Sequence, residues 1–538
     1  MWFIVLLLTF SVADGSNRPH IVYILADDLG WNDVGFHGSN QIPTPNIDAL
    51  AYAGLPLHNY YVSPICTPSR SALMTGKYPI HTGMQHGVLY GMEARGLPLS
   101  EKLLPQYLKE LGYKTHLVGK WHLGSYRKEY LPKSRGFDTH TGFITGKIDM
   151  YDHTNVEQGT WGFDFKRDSD ALVSDDLFGK YVTDIFTDEA VQIISMHNKT
   201  DPLFLMVAHS AVHSGNPYEP IRAPDSVIDK FTYIQNRQRQ KFAGVLTKLD
   251  QSVGRVLAAL QTHSMLHNTV LVFSSDNGGP AAGFNDNAAS NFPLRGVKNT
   301  LWEGGVRAAG LIFSPLLQKR SHVATQLMDI SDWLPTLYSA AGGNVTQLGS
   351  IDGVDQWEAL SKDLDSVRTE VLHNIDDIWG LAALTVWPWK LIQGTNYNGT
   401  WDGWFGPNGR QGSYNISKVF DSPAGRTLKG LGYMPSAGTV GQMRKAATVK
   451  CDYSAPKVKC QPLQAPCLFN VQQDPCEMNN LAASLPSILQ RLASSLSQYN
   501  ATAAPAHPPK LDPRGNPKFW GRLYFNFGDF INITTNTR

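Results

Sequence analysis

The sequence predicts an α/β protein: a large mixed, mostly parallel sheet sandwiched by helices, plus a smaller C-terminal α+β domain with an antiparallel sheet. Three observations carry that expectation. Continuous β-rich apolar runs alternate with helical patterns over the first two-thirds of the chain. The texture changes near residue 375, and a chain of 538 residues exceeds what a single core usually serves.

Taken in order, Ile21–Ala26 reads as a strand buried on both faces. Pro45 to Gly54 reads as a helix, with Pro near its start and Gly as its stop. Leu103 to Leu111 is a helix ending at Gly112, and Thr115–Val118 is a strand. Leu203–Ala208 and Thr269–Phe273 are further buried strands, separated by helical periodicity from Arg239 to Leu260. Ile330 to Ala341 is a helix closed by Gly342 and Gly343. Beyond residue 375, the apolar runs Leu381–Trp387 and Trp389–Ile392 give way to Gly/Asn-rich loops. Leu468–Val471 reads as a strand, Pro486–Leu496 as a helix, and Ala503–Pro517 as a Pro-rich surface segment. The division expected is a signal peptide over 1–15, a catalytic domain over 16–374 and a smaller domain over 375–538.

The charge balance, Lys+Arg 47 against Asp+Glu 46, argues against nucleic acid or an anionic membrane as the main partner. The apolar run Met1–Phe10, followed by small residues to Gly15, resembles a secretory signal peptide and is too short to span a bilayer. Asn-x-Ser/Thr sequons begin at Asn198, Asn344, Asn398, Asn415, Asn500 and Asn532, as expected of surface loops in an exported chain. With no later membrane-length segment and no KDEL-type tail, the expectation is a secreted, soluble protein, with the lysosome as the alternative.

Four cysteines, Cys451, Cys460, Cys467 and Cys476, cluster within one stretch, while Cys66 stands alone. In an oxidising compartment the four can form two disulfides in three ways; neighbour pairing, Cys451–Cys460 with Cys467–Cys476, is the expectation. That leaves Cys66 needing an explanation of its own.

Two of the buried strands end alike. Ile21–Ala26 runs into Asp27 and Asp28, and Thr269–Phe273 runs on to Asp276 and Asn277. Ligands of open α/β sheets bind beyond the carboxyl ends of strands. Carboxylates delivered there would repel one another without a cation between them, and an all-oxygen set favours Ca²⁺ or Mg²⁺ over zinc. The His209-x-x-x-His213 spacing suggests zinc at first sight, but it follows an apolar strand and lacks the Glu of His-Glu-x-x-His.

The stretch Cys66-Thr67-Pro68-Ser69-Arg70 resembles the signature Cys-x-Pro-Ser-Arg of the sulfatase family, whose cysteine is oxidised before folding to Cα-formylglycine (3-oxoalanine). The second signature resembles Gly112 to His122, and Gly119–Gly124 and Leu294–Arg307 add likeness to arylsulfatases of the B, I and J type. The resemblance implies an alkaline-phosphatase-like sulfatase fold. It implies Ca²⁺ on Asp27, Asp28, Asp276 and Asn277 with an oxygen of modified Cys66, and Arg70, Lys120, His122, His213 and Lys298 around a sulfate. It also implies a formylglycine-generating enzyme as a partner during biosynthesis.

The chemistry so implied is that of a sulfuric ester hydrolase. The aldehyde hydrates to a gem-diol; one hydroxyl attacks sulfur, and the other, deprotonated by His122, collapses to the aldehyde and expels sulfate. His213 and Lys298 would protonate the leaving oxygen. The expected substrates are sulfated sugars, such as N-acetylgalactosamine 4-sulfate, or small aryl or plant sulfates. The loop after His213, Ser-Gly-Asn-Pro, and the cysteine-free stretch Gly87 to Pro98 depart from the arylsulfatase B pattern at the expected pocket mouth. A related phosphatase or phosphodiesterase would call for two metals and more His/Asp ligands. A glycan-binding pseudo-sulfatase would have lost motif positions that are intact here.

Overall fold

The computed structural model describes residues 18–167, 175–454 and 457–531. The expected signal peptide and Asn532 lie outside them. The strands in chain order are β1 His20–Ala26, β2 Leu55–Tyr61, β3 Lys114–Lys120, β4 Thr139–Phe143, β5 Thr154–Glu157, β6 Thr160–Phe163, β7 Lys166–Arg167, β8 Leu203–Ala208, β9 Thr269–Ser275, β10 Gly310–Phe313, β11 Ala324–Asp329, β12 Glu370–Asp376, β13 Leu381–Val386, β14 Trp389–Gln393 and β15 Cys467–Asn470.

Nine strands form the large sheet in the order β11-β2-β10-β9-β1-β8-β3-β4-β7. Its centre, β9-β1-β8-β3-β4, is parallel, while β10 pairs antiparallel with both its neighbours and β7 antiparallel with β4. The architecture is the mixed, mostly parallel sheet expected. Alternation along β1 shows why its sequence is apolar throughout. Val22, Ile24 and Ala26 pack in one core layer; Ile21, Tyr23 and Leu25 pack in the other.

Helices cover both faces. Val182–Met196 and Arg237–Thr262 lie on one side, and Leu104–Glu110 and Trp333–Ala340 on the other. The Gly/Asn-rich region holds helices that its sequence pattern hides: Ile416–Phe420, Pro423–Gly430 and Ala437–Ala447. Val419, Leu428 and Val440 from them join the main core.

The smaller sheet is antiparallel, β12-β13-β14-β15. One face carries Leu384, Leu391 and Leu468 against Leu492 of the helix Pro486–Ala501. The other presents Val371, Ala383 and Phe469 to Tyr61 and Trp302 of the large unit. A buried ion cluster ties the two. Lys390 Nζ lies 2.9 Å from Glu303 and 2.8 Å from Glu477, with all three side chains sealed from solvent.

The disulfide pairing corrects the expectation. The bonds are Cys451–Cys476 and Cys460–Cys467. The turn before β15 folds Cys460 onto Cys467, and the turn after it carries Cys476 to Cys451 beside Trp31 and Leu294. Cys66 is the free cysteine, and it is buried. Asn198, Asn344, Asn398, Asn415 and Asn500 are all exposed.

Candidate active site

Four adjacent parallel strands aim their carboxyl ends at one place. β1 leads into Asp27 and Asp28, β9 into Asp276 and Asn277, β8 into the loop bearing His213, and β3 ends on Lys120, two residues before His122. The register sets the meeting: Ala26 lies opposite Ser275, and the Asp276 amide donates to Ala26 O (3.1 Å). The turn after β9 is tight. A Cβ on Gly278 would stand 1.9 Å from Gly304 O, so the Gly304-Gly305 turn closes on backbone alone.

Cys66 comes from elsewhere, as the first residue of the helix Cys66–Thr75. The helix N-terminus adds partial positive charge there, and i, i+4 spacing puts Arg70 on the same face. Cys66 Sγ lies 3.5 Å from Asp27 Oδ1. Ligand atoms of Asp27, Asp28, Cys66 and His213 lie within 4.8 Å of one another.

Three cations answer three carboxylates. Lys120 Nζ donates to Asp27 Oδ2 (2.7 Å), Arg70 donates twice to Asp276 Oδ2 (3.1 and 2.8 Å), and Lys298 Nζ donates to Asp28 (2.9 Å). All six side chains are buried. Burial alone would raise Asp27, but the fixed charges of Lys120 first, then Arg70 and Lys298, hold it far below the usual carboxylate range. Asp276 moves upward, through burial and the neighbouring Asp27 charge.

Asn277 Nδ2 donates to Asp28 Oδ1 (2.7 Å), while its Oδ1 is buried with no partner. An amide oxygen left bare among three carboxylates fits a hard cation: Asp27, Asp28, Asp276 and Asn277 are an oxygen donor set suited to Ca²⁺. With the carboxylates matched by three cations, a divalent ion would leave net positive charge for an anion.

The histidines are neutral. His122 Nε2 bonds Leu89 O (2.9 Å), which leaves Nδ1 buried without a partner. Burial, then the charges of Lys120 and Arg70, hold its pKa well below the ordinary value. His122 also sits at φ 61°, a left-handed backbone that costs about 1–3 kcal/mol for a non-glycine residue and often marks functional sites. His213 donates from Nδ1 to Ser214 O (2.6 Å) and accepts at Nε2 from Lys298 (3.1 Å). Burial lowers its pKa to about 4. Lys298 is raised above its ordinary value by Asp28 and Cys66 in spite of burial. His209 bonds Ser252 instead (2.9 Å), away from the carboxylates, so the two histidines do not form a pair of ligands.

The structure brings together all ten residues singled out in the sequence. What sequence reasoning missed is the cleft above them, about 450 Å³, walled by His86, Lys147, Glu157, Trp379 and Tyr397. These come from four separate segments with no shared pattern. Gly87 and Tyr90 line it too, so the stretch that departs from the arylsulfatase B pattern does reach the pocket mouth.

An oxygen cage beside three cations, at the strand ends of a mostly parallel sheet and under an open cleft, defines a hydrolase of anionic esters. Comparison with known proteins narrows the class. Residues 19–343 match the family described as Sulfatase. Arylsulfatase J of Mus musculus is 39% identical over 534 residues, covering 95% of this chain and 81% of that protein. N-acetylgalactosamine-6-sulfatase of Mus musculus is 31% identical over 368 residues, 66% and 68% of the two chains. The crystal structure of Ps i-CgsB in complex with k-i-k-neocarrahexaose superimposes with a TM-score of 0.71 at 25% identity, covering 95% of this chain and 99% of that one. The chain belongs to the sulfatase family, and it is an enzyme that hydrolyses sulfate esters.

Proposed function

We propose that this sulfatase works through an oxidised residue 66 and a calcium ion, and that it acts on sulfated sugars. The observation that carries the reading is the state of Cys66. Burial pushes its thiol up to about 12, against the pull of Lys120 and Lys298. At neutral pH such a thiol is protonated and inert as a nucleophile. Yet it stands where four strand ends and three cations converge, which makes sense if residue 66 carries oxygen rather than sulfur.

Oxidation to the aldehyde exchanges the thiol's sulfur and two hydrogens for one oxygen; a formylglycine-generating enzyme carries it out during biosynthesis, with dioxygen as oxidant and the sulfur leaving at the sulfide level. Addition of water gives a geminal diol. One hydroxyl oxygen releases its proton to solvent in the open cleft and forms a bond to sulfur as the ester S–O bond breaks, and the alcohol leaves with a proton. Lys298, the charged member of the His213–Lys298 pair, supplies that proton, and His213 holds it in line; their 3.1 Å contact supports these roles. His122 Nδ1 then takes the proton of the second hydroxyl; the C=O bond re-forms and sulfate departs. Arg70 and Lys120 keep the non-bridging oxygens paired throughout. Calcium held by Asp27, Asp28, Asp276 and Asn277, with an oxygen of residue 66, supplies further positive charge to those oxygens when bound.

The cleft's exposed aromatic walls, Trp379 and Tyr397, suit the apolar face of a pyranose ring. The name of one relative, N-acetylgalactosamine-6-sulfatase, and the oligosaccharide of one similar structure point the same way. N-acetylgalactosamine 4-sulfate belongs to that class, and small aryl or plant sulfates remain the alternative. Export through the secretory pathway, to the cell exterior or the lysosome, is supported by two disulfides and five exposed sequons. Among the described residues no helix is long and apolar enough to cross a membrane.

The test is sulfate release from N-acetylgalactosamine 4-sulfate and from nitrophenyl sulfate by chain co-expressed with a formylglycine-generating enzyme, beside Cys66→Ala. Turnover lost with Cys66→Ala supports the reading. Equal turnover by the variant, or aldehyde-bearing protein that only binds sulfated glycan, defeats it.

A further inference from the structure

One cation in the cleft has no counter-ion. Arg70, Lys120 and Lys298 each bond an aspartate, whereas the half-buried Lys147 forms no ion pair and no ammonium hydrogen bond among the described residues. The acid nearest in influence, Glu157, is already engaged. It accepts from the Gly91 amide (2.6 Å), and burial raises its carboxyl to about 7, so it loses its charge as the pH turns acid.

Lys147 is also fixed in place. Its neighbour Gly146 lies flat on the His122 imidazole, where a Cβ would come within 2.9 Å of the ring. Thr145 and Asn155 anchor the turn beneath it, Thr145 through Asp164 and Asn155 through Thr145. Lys147 therefore lines the cleft next to the residue that packs on His122, and it forms no ion pair with the carboxylates that hold the other cations. An ammonium partly withdrawn from water and left unpaired is costly unless a ligand anion completes it.

The walls around it suit a sugar ring. Trp379, 38% exposed, sits in the β12–β13 turn with its ring 4.5 Å from that of His86, which Asp376 pins at 2.8 Å. Tyr397, 43% exposed, accepts from Asn299 Nδ2 (2.8 Å) and rests edge-on against Phe284. Both aromatics are held from behind and open in front, which is how a protein presents apolar faces to a ring bearing hydroxyls.

We propose that Lys147 forms a second anion subsite beside the reacting sulfate, so that the preferred substrate is a sulfated sugar carrying a further carboxylate or sulfate on the same ring or the next, flanked by Trp379 and Tyr397. This rests on the sulfatase reading above. It separates the enzyme's preferred substrates from singly charged sulfates, which need only the Arg70–Lys120–Lys298 set.

The test uses the full chain co-expressed with a formylglycine-generating enzyme, as wild type, Lys147→Ala, Lys147→Gln and Lys147→Arg. Four probes are compared: nitrophenyl sulfate, N-acetylgalactosamine monosulfate, N-acetylgalactosamine disulfate, and a sulfated disaccharide with a uronate. A charge-assisted contact sets the scale: kcat/KM on a doubly anionic probe should fall about ten- to a hundredfold more than on the monosulfates, through KM, in both neutral variants. Lys147→Arg should restore most of it. A loss confined to the uronate probe identifies the carboxylate as the recognised group; one confined to the disulfate identifies the second sulfate. Equal losses on all four probes, or none, overturn the subsite. A wild type that turns over none of them sinks the proposed sugar-sulfate function and the subsite with it.

Discussion

Asn277→Leu isolates the cation cage from the rest of the site. The side chain keeps the same branched skeleton of heavy atoms while the amide is removed. In the ion-free protein two hydrogen bonds are lost, to Asp28 Oδ1 and to Gly278 O, each worth about 1 kcal/mol. Against that, the bare buried Oδ1 disappears, and an orphaned acceptor of this kind costs about 1–3 kcal/mol. The two nearly cancel, so the melting temperature in chelator should barely move. With calcium present the balance differs. An ion at a hundredfold its dissociation constant stabilises the folded chain by about 2.7 kcal/mol. The variant, short of one oxygen ligand, should lose most of that increment, and kcat/KM should fall about 10²–10³-fold. Differential scanning fluorimetry with and without calcium, beside sulfate release, reads both. Equal calcium-induced shifts in variant and wild type, or no shift in the wild type, would refute the cage.

Three further outcomes follow from the fold. Burial raises Asp48 from 3.8 to about 6 and Asp250 to about 7. Between about pH 4 and 7 the folded chain keeps protons that the unfolded chain has released, so these groups make stability fall as pH rises through that window. At about 1.4 kcal/mol per unit, Asp250 contributes up to about 4 kcal/mol, and Asp250→Asn should flatten the urea midpoint against pH. Lys390→Met strands Glu303 and Glu477 between the two sheets, and should cost about 3–5 kcal/mol in urea unfolding, with part recovered at acid pH as a carboxyl takes up a proton. Replacing both Cys451 and Cys476 by serine opens a crosslink of sequence separation 25, which should cost about 3–4 kcal/mol by the same assay.

Much of this was legible because buried parallel strands declare themselves. β1, β8 and β9 are uninterrupted apolar runs, since both faces are covered, and the polar residues that end them stand out as site residues. β2 was not legible: Leu-Pro-Leu-His-Asn-Tyr-Tyr mixes polar groups that are buried only through tertiary partners, such as Asn59 donating to Thr325 O. The helix bearing Cys66 was found through its motif rather than its periodicity, because Pro68 and four hydroxyl residues give it no apolar stripe. Ile416 to Ala447 lies in a Gly/Asn-rich stretch that reads as loop, and its helices form where Val419, Leu428 and Val440 dock on the core. Disulfide pairing depends on where turns deliver Cα atoms, and spacing alone cannot supply that. The cleft walls were illegible for the same reason, as Lys147, Trp379 and Tyr397 meet only after folding.

Catalysis in this proposal turns on residue 66 being an aldehyde. The most direct measurement is the mass of the peptide spanning Cys66 in several preparations differing in co-expressed formylglycine-generating enzyme, set against sulfate released per molecule. The expected peptide is lighter by the exchange of sulfur and two hydrogens for oxygen, with turnover proportional to its fraction and extrapolating to zero. Turnover undiminished in protein whose peptide carries only the thiol would contradict it.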